Sequence, residues 1–316
     1  MKQTLFVFAF ATACLWGQEG TGPFPAVMEQ EPSLPTHTIY RPKDLAALHG
    51  QKLPIIAWGE GGCANNGSFY KNFLGEIASH GFLAIAVGPP QAQQPGGNPG
   101  AQPGGQPGGQ PGGQPGAGRG AGRGAGGPGR GPATKSSQLI DAINWADAEN
   151  KRKDSQFYHK LDASKVAVMG HSCGGIQALA VAADPRIKLV VNWSGGLFVT
   201  PPNGAAGMVE NVPKEQLQKL HTPVFYISGD STDIAFANSN DDFGRITKVP
   251  ALRAWKDGVG HGGTYNQPNG GEFGKVAVEI LDWQFKGDKN DGKMFLGANC
   301  GLCEDPKWHV EKKGIN

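Results

Sequence analysis

The chain has 316 residues and a formal net charge of +2, from 29 basic and 27 acidic residues. So even a balance gives no long-range field for a polyanion, which argues against nucleic acid as a partner. With a leader and a low-complexity stretch set aside, the remaining length suits one catalytic-sized domain.

Residues 1–17 open with Met1-Lys2-Gln3, continue as an apolar run over 5–16 and end at Gly17, the order of a signal peptide. The apolar run is too short to span a bilayer. Cys14 as a lipidated residue would need a large aliphatic side chain shortly before it, and Ala11-Thr12-Ala13 offers none. Cleavage near Gly17 is the expectation, giving a secreted or periplasmic protein with no membrane partner once the leader is gone. Loss of Cys14 leaves Cys63, Cys173, Cys300 and Cys303, an even number in a compartment where disulfides persist.

Short apolar runs suited to buried strands fall at residues 38–41, 54–58, 82–87, 165–169, 189–193, 223–228 and 252–256. Helical patterns lie between or after them, at 69–79, 137–150, 174–183 and 274–285. Alternation of this kind predicts an α/β fold, with a mostly parallel central sheet and helices on both faces. Residues 93–132 interrupt the pattern with Gln-Pro-Gly-Gly units and then Gly-Ala-Gly-Arg units. That composition has too little apolar surface to offset the entropy of ordering, so a disordered insertion is expected. Arg119, Arg123 and Arg130 lack the interleaved aromatic residues of single-strand nucleic-acid binders. The domain is therefore expected to run over 20–92 and 133–316, with 93–132 as an insertion within it.

The strand at 165–169 leads into Gly170-His171-Ser172-Cys173-Gly174-Gly175, and a helical pattern follows. G-x-S-x-G between a strand and a helix is the setting of a nucleophile elbow, a strained turn that lifts a serine hydroxyl above a sheet. A serine hydroxyl needs a base, and the base needs an acid that holds one tautomer. In this fold the acid and then the histidine follow the serine, each on a loop after a later strand. Gly229-Asp230-Ser231-Thr232-Asp233 follows one strand, and Asp257-Gly258-Val259-Gly260-His261 follows the next. His261 is the candidate base; His309 lies in the tail. Asp233 and Asp230 are both candidates for the acid, with Asp233 preferred for its reach, and Asp241 and Asp242 are more remote. Oxyanion donors would be the amide of Cys173 and one from Gly59-Glu60-Gly61-Gly62-Cys63, at Gly62 or Cys63.

Thr38-Ile39-Tyr40-Arg41-Pro42, Ile77-Ala78-Ser79-His80-Gly81-Phe82, Val168-Met169-Gly170-His171-Ser172, Asp233-Ile234-Ala235 and Gly260-His261 resemble, in order, one branch of the α/β-hydrolase superfamily. It is the cutinase and polyester-hydrolase branch, close to dienelactone-hydrolase-like esterases, and the resemblance covers most of residues 22–286 outside the insertion. It implies Ser172, Asp233 and His261 as a catalytic triad, and the amides of Cys63 and Cys173 as oxyanion donors. It also implies Trp193 as a residue lining the acyl site, with a core position as the alternative for that ring. Tyr265, in the aromatic-rich loop after His261, is a second expected substrate contact. The chain departs from the branch at Cys173, where Met or Gln is usual, at Cys63, where an aromatic is usual, and at Phe236, where proline is usual. Two donor amides facing one oxygen must be neighbours, so the carry-over implies a Cys63–Cys173 disulfide, leaving Cys300 and Cys303 to pair. Two buried free thiols are the alternative.

The function expected is a secreted serine carboxylic-ester hydrolase, a monomer acting on a small-molecule or polymeric ester through an acyl-enzyme. A non-catalytic binding protein on a hydrolase scaffold, or a peptidase or lactone hydrolase of the same fold, is the alternative. No cofactor is expected: the glycine-rich stretches lack the flanks of a dinucleotide site, and no His or carboxylate cluster has metal spacing.

Overall fold

The computed structural model describes residues 16–18, 20–91, 133–200 and 209–315. Most of the expected leader and all of the expected insertion at 93–132 lie outside the described residues. Ten strands form one sheet, in the order β1-β2-β3-β5-β4-β6-β7-β8-β9-β10. They are β1 (Trp16–Gln18), β2 (Ala26–Glu29), β3 (His37–Pro42), β4 (Leu53–Gly59), β5 (Leu83–Val87), β6 (Leu161–His171), β7 (Ile187–Trp193), β8 (Val224–Gly229), β9 (Ala251–Lys256) and β10 (Trp308–Lys313). The run β5-β4-β6-β7-β8-β9 is parallel, while β1 to β3 at one edge and β10 at the other pair antiparallel.

Parallel strands covered on both faces read as continuous apolar runs because neither face meets water. Strand β4 shows the consequence: every residue is buried, with Leu53, Ile55 and Ala57 in one core cluster and Ile56 and Trp58 in the other. Helices α1 (Lys71–Ser79) and α5 (Gly271–Leu281) cover the Trp58 face through Phe73, Leu74, Phe273 and Ala277. Helices α2 (Ser137–Lys151), α3 (Cys173–Val181) and α4 (Phe236–Arg245) cover the other through Ile143, Leu179 and Phe243. Each such fully buried aliphatic or aromatic side chain is worth roughly 1.5–3 kcal/mol.

This is the α/β-hydrolase arrangement: a mostly parallel sheet between two helical layers, with the loops that follow the parallel strands gathered at one end. Some elements run against the sequence pattern, β1 among them, since it starts inside the expected leader. Strands β2 and β10 and helix α4 lie in segments that the apolar periodicity passes over. Among the described residues, no helix is long and apolar enough to cross a membrane.

Candidate active site

Strand β6 ends at His171 and α3 begins at Cys173, so Ser172 occupies the turn between them. Its backbone sits at φ 54° and ψ −114°, a region that side chains other than glycine rarely adopt. The turn persists because its surroundings fix it. The Ser172 amide donates to the carbonyl of Trp193 at 2.9 Å. Any side chain on Gly170 would collide with Gly174, and any on Gly174 with the carbonyl of Gly59, so the helix start lies directly against the ends of β6 and β4.

Two later loops reach this turn. Nδ1 of His261, after β9, is 2.7 Å from Oδ1 of Asp233, and its Nε2 is 2.9 Å from Oγ of Ser172. An ionised carboxylate only accepts, so Nδ1–H donates to Asp233 and Nε2 accepts the serine proton. Asp233 is 3 % exposed and also accepts from the amide of Ala235 at 2.9 Å and that of Gly229 at 3.3 Å. Burial opposes ionisation of Asp233, but the hydrogen bond and charge of His261, with the Ala235 amide, outweigh it and hold the carboxyl below its ordinary range.

The other candidate acids point elsewhere. Asp230 accepts from the amide and hydroxyl of Thr232, at 2.9 and 2.6 Å, and from the amide of Gly258 at 2.8 Å. It thereby ties the acid loop to the histidine loop without touching the imidazole. Asp241 pairs with Lys214 and Arg245. Asp242 accepts from Lys214 at 2.6 Å and from the Leu197 amide at 2.8 Å. His309 pairs with Asp257 at 2.9 Å and stacks on Trp255.

The loop after β4 folds over the serine as a short turn, Gly61–Cys63. Cys63 is disulfide-bonded to Cys173, with Cα atoms 5.3 Å apart, and Cys300 to Cys303, with Cα atoms 4.8 Å apart. One expected donor needs correcting. The Cys63 amide closes the turn onto the carbonyl of Glu60 at 3.2 Å, so it is not aimed freely at the serine. Gly62, exposed at φ 64°, is the other candidate of the pair. Beneath the turn the Glu60 side chain is fully buried, and that burial pushes its carboxyl well above its ordinary range, the Trp58 indole opposing the shift.

Of the two expected substrate contacts, Trp193 takes the core position that was its alternative, and Tyr265 needs correcting. Trp193 and Tyr265 are each 0 % exposed. Both rings pack edge-on against Phe73, and Tyr265 also against Tyr70 and Phe273. Trp193 serves the site through its backbone carbonyl, which holds Ser172, and neither ring reaches solvent where an ester would bind. Residues that the motif reading left without a role are His171 and Tyr70. The His171 ring is 2.7 Å from the Tyr70 hydroxyl at Nδ1 and 2.8 Å from the carbonyl of His261 at Nε2.

A cavity of about 450 Å³, lined by Ile246, Val249, Pro250 and Lys313 among others, lies at the start of β9. That is the end of the sheet opposite Ser172. Among the described residues, no group of three or more His, Cys, Asp or Glu side chains is placed to hold a metal ion.

Residues 130–196, which include α2, β6, the serine turn, α3 and β7, match a family model described as PET hydrolase-like. No curated protein matches the chain. The fold and this match agree with the resemblance to the cutinase and polyester-hydrolase branch of the α/β-hydrolases, and support an ester hydrolase of that kind.

Proposed function

We propose that this chain, an α/β-hydrolase with a PET hydrolase-like segment, is a secreted serine hydrolase that cleaves carboxylic esters through an acyl-enzyme on Ser172. The observation that carries the reading is the unbroken hydrogen-bond chain from Ser172 through His261 to Asp233. In the first half-reaction Nε2 of His261 takes the Ser172 proton as Oγ attacks the ester carbonyl carbon. The carbonyl oxygen becomes an oxyanion facing the amides of Cys173 and Gly62. Collapse of this intermediate expels the alcohol oxygen, which receives the proton from His261. Water then attacks the acyl carbon, His261 removes its proton, and the carboxylic acid leaves as Oγ regains a proton.

Asp233 keeps the imidazole in the Nδ1–H tautomer and stabilises the imidazolium formed at each step without itself taking the proton. The disulfide between Cys63 and Cys173 supports the same reading. It fixes the two donor-bearing segments relative to each other before substrate arrives, and preorganisation of that kind is what makes such donors effective. Export is supported by the charge and apolar order of residues 1–17 and by two disulfides, bonds that persist in oxidising compartments. The substrate is a small-molecule or polymeric ester, the protein acts as a monomer without a cofactor, and neither nucleic acid nor a membrane is a partner.

Hydrolysis of p-nitrophenyl esters of increasing acyl length tests the activity and its pocket together. Turnover that disappears in Ser172→Ala supports the reading. No turnover by the wild-type protein on any member of the series contradicts it.

A further inference from the structure

Outside the serine, the acid and the base, one buried polar chain touches the machinery. Nε2 of His171 lies 2.8 Å from the carbonyl oxygen of His261, and a carbonyl only accepts, so Nε2 carries the hydrogen. Nδ1 is then the bare nitrogen, and the Tyr70 hydroxyl, 2.7 Å away, must donate to it. The Gly61 amide in turn faces the Tyr70 oxygen. A side chain on Gly61 would meet Nδ1 of His171 at 2.6 Å, so the turn over the serine closes directly onto this hydrogen bond. The four groups come from the loop after β4, the start of α1, the end of β6 and the loop after β9, and together they join the oxyanion turn to the backbone of the base.

We infer that His171 is a positioning residue: it holds the backbone of His261 through Nε2–H, and Tyr70 fixes the His171 tautomer that makes this possible. The inference rests on the serine-hydrolase reading. Its logic repeats that of the triad one layer down, with Tyr70 acting on His171 as Asp233 acts on His261. If the Tyr70 proton were lost, His171 could shift its hydrogen to Nδ1. A lone pair on Nε2 would then face the carbonyl lone pairs of His261, and the loop carrying the base would be pushed from its place. Burial pulls the His171 pKa down to about 3, with the neighbouring His261 adding to the shift, so the ring stays neutral and the arrangement keeps one form across the working pH range. The cost of displacing a catalytic group by about 1 Å is on the order of 100-fold in rate.

The test uses the full chain in four forms: wild type, His171→Phe, His171→Gln and Tyr70→Phe. A glutamine carboxamide can place an N–H where Nε2–H stood, whereas phenylalanine keeps the ring and loses the donor. His171→Phe is expected to lower kcat about 100-fold with KM within about threefold, and Tyr70→Phe to lower kcat about tenfold. His171→Gln is expected to recover most of the loss, to within about tenfold of wild type, which a ring needed only for packing would not do. A folded His171→Phe protein with wild-type kcat overturns the inference, and so does a His171→Gln protein as slow as His171→Phe. Should His171→Phe fail to fold, Tyr70→Phe decides, and an unchanged kcat in it overturns the inference. Ser172→Ala run alongside separates the two layers: if that variant stays active, the hydrolase reading itself has failed.

Discussion

Cys63, in the turn after β4, and Cys173, the residue after the serine, form a disulfide that closes a sequence separation of 110 residues, whereas Cys300 and Cys303 close one of 3. In the loop-entropy model a closure of about 100 residues is worth roughly 4.7 kcal/mol and a closure of a few residues far less. The double variant Cys63→Ala/Cys173→Ala should therefore melt well below wild type, and Cys300→Ala/Cys303→Ala close to it. At a temperature where the first variant is still folded, its kcat should fall further than its far-ultraviolet dichroism, because the damage is to the alignment of two amides. Equal melting temperatures for the two double variants would contradict this.

Asp233 accepts from His261 while Asp230 is spent on Thr232 and Gly258. Asp233→Asn should lower kcat by about 10⁴, since an amide in its place favours the wrong imidazole tautomer. Asp230→Asn should stay within about tenfold and show its effect mainly in thermal stability, through the weakened tie between the two loops. Steady-state kinetics on one p-nitrophenyl ester ranks the two, and the reverse ranking would move the acid to Asp230.

Burial of His171 has a consequence for stability against pH. Its folded pKa is lowered to about 3 from an ordinary 6.5, so between those values the unfolded chain binds a proton that the folded chain refuses. The contribution of the neutral ring is complete above pH 6.5 and is lost as pH falls toward 3. Wild type should thus lose melting temperature relative to His171→Gln across that window and hold a constant difference above it. A constant difference across the whole range would show that His171 titrates normally.

The central sheet was legible because its strands are buried on both faces, so 54–58, 165–169 and 223–228 stand out as apolar runs. Helix α4, with the sequence FANSNDDFGR, carries Asn, Ser, Asp and Gly residues that weaken helix propensity. Tertiary contacts override that propensity: Phe243 is buried, and Asp242 is clamped by Lys214 and the Leu197 amide. Strand β10, WHVEKK, is an edge strand with mixed exposure, so neither alternation nor a long apolar run marks it. At the site, strand-loop spacing ordered Ser172, an acid loop and His261, but left Asp230 beside Asp233 as a candidate acid, because both follow the same strand. The Tyr70–His171 hydrogen bond spans 101 residues, and no local pattern encodes such a pairing. Trp193 stayed open and Tyr265 misled for a related reason: an aromatic beside a catalytic loop reads the same in sequence whether its ring faces substrate or core.

Gln91 and Ala133 flank the segment that holds the expected insertion, and the chain at both ends is held by the stretch after β4. Nε2 of Gln91 donates to the Asn65 carbonyl at 3.0 Å, and the Thr134 amide donates to the Cys63 carbonyl at 2.9 Å. Loop-closure entropy changes slowly with length, so deleting residues 93–131 while keeping these anchors should move the melting temperature by only about 3 °C and kcat/KM by about threefold. A collapse of activity in the folded deletion variant would show that the removed segment contacts substrate.

Covalent capture by a fluorophosphonate, followed by peptide mapping, decides whether Ser172 is the nucleophile. The probe reacts with a serine only when a neighbouring base activates it. One adduct is expected, on the peptide carrying Ser172, with ester hydrolysis lost in proportion to labelling and no adduct in Ser172→Ala. An adduct on another residue, or full hydrolysis after Ser172 is blocked, would contradict it.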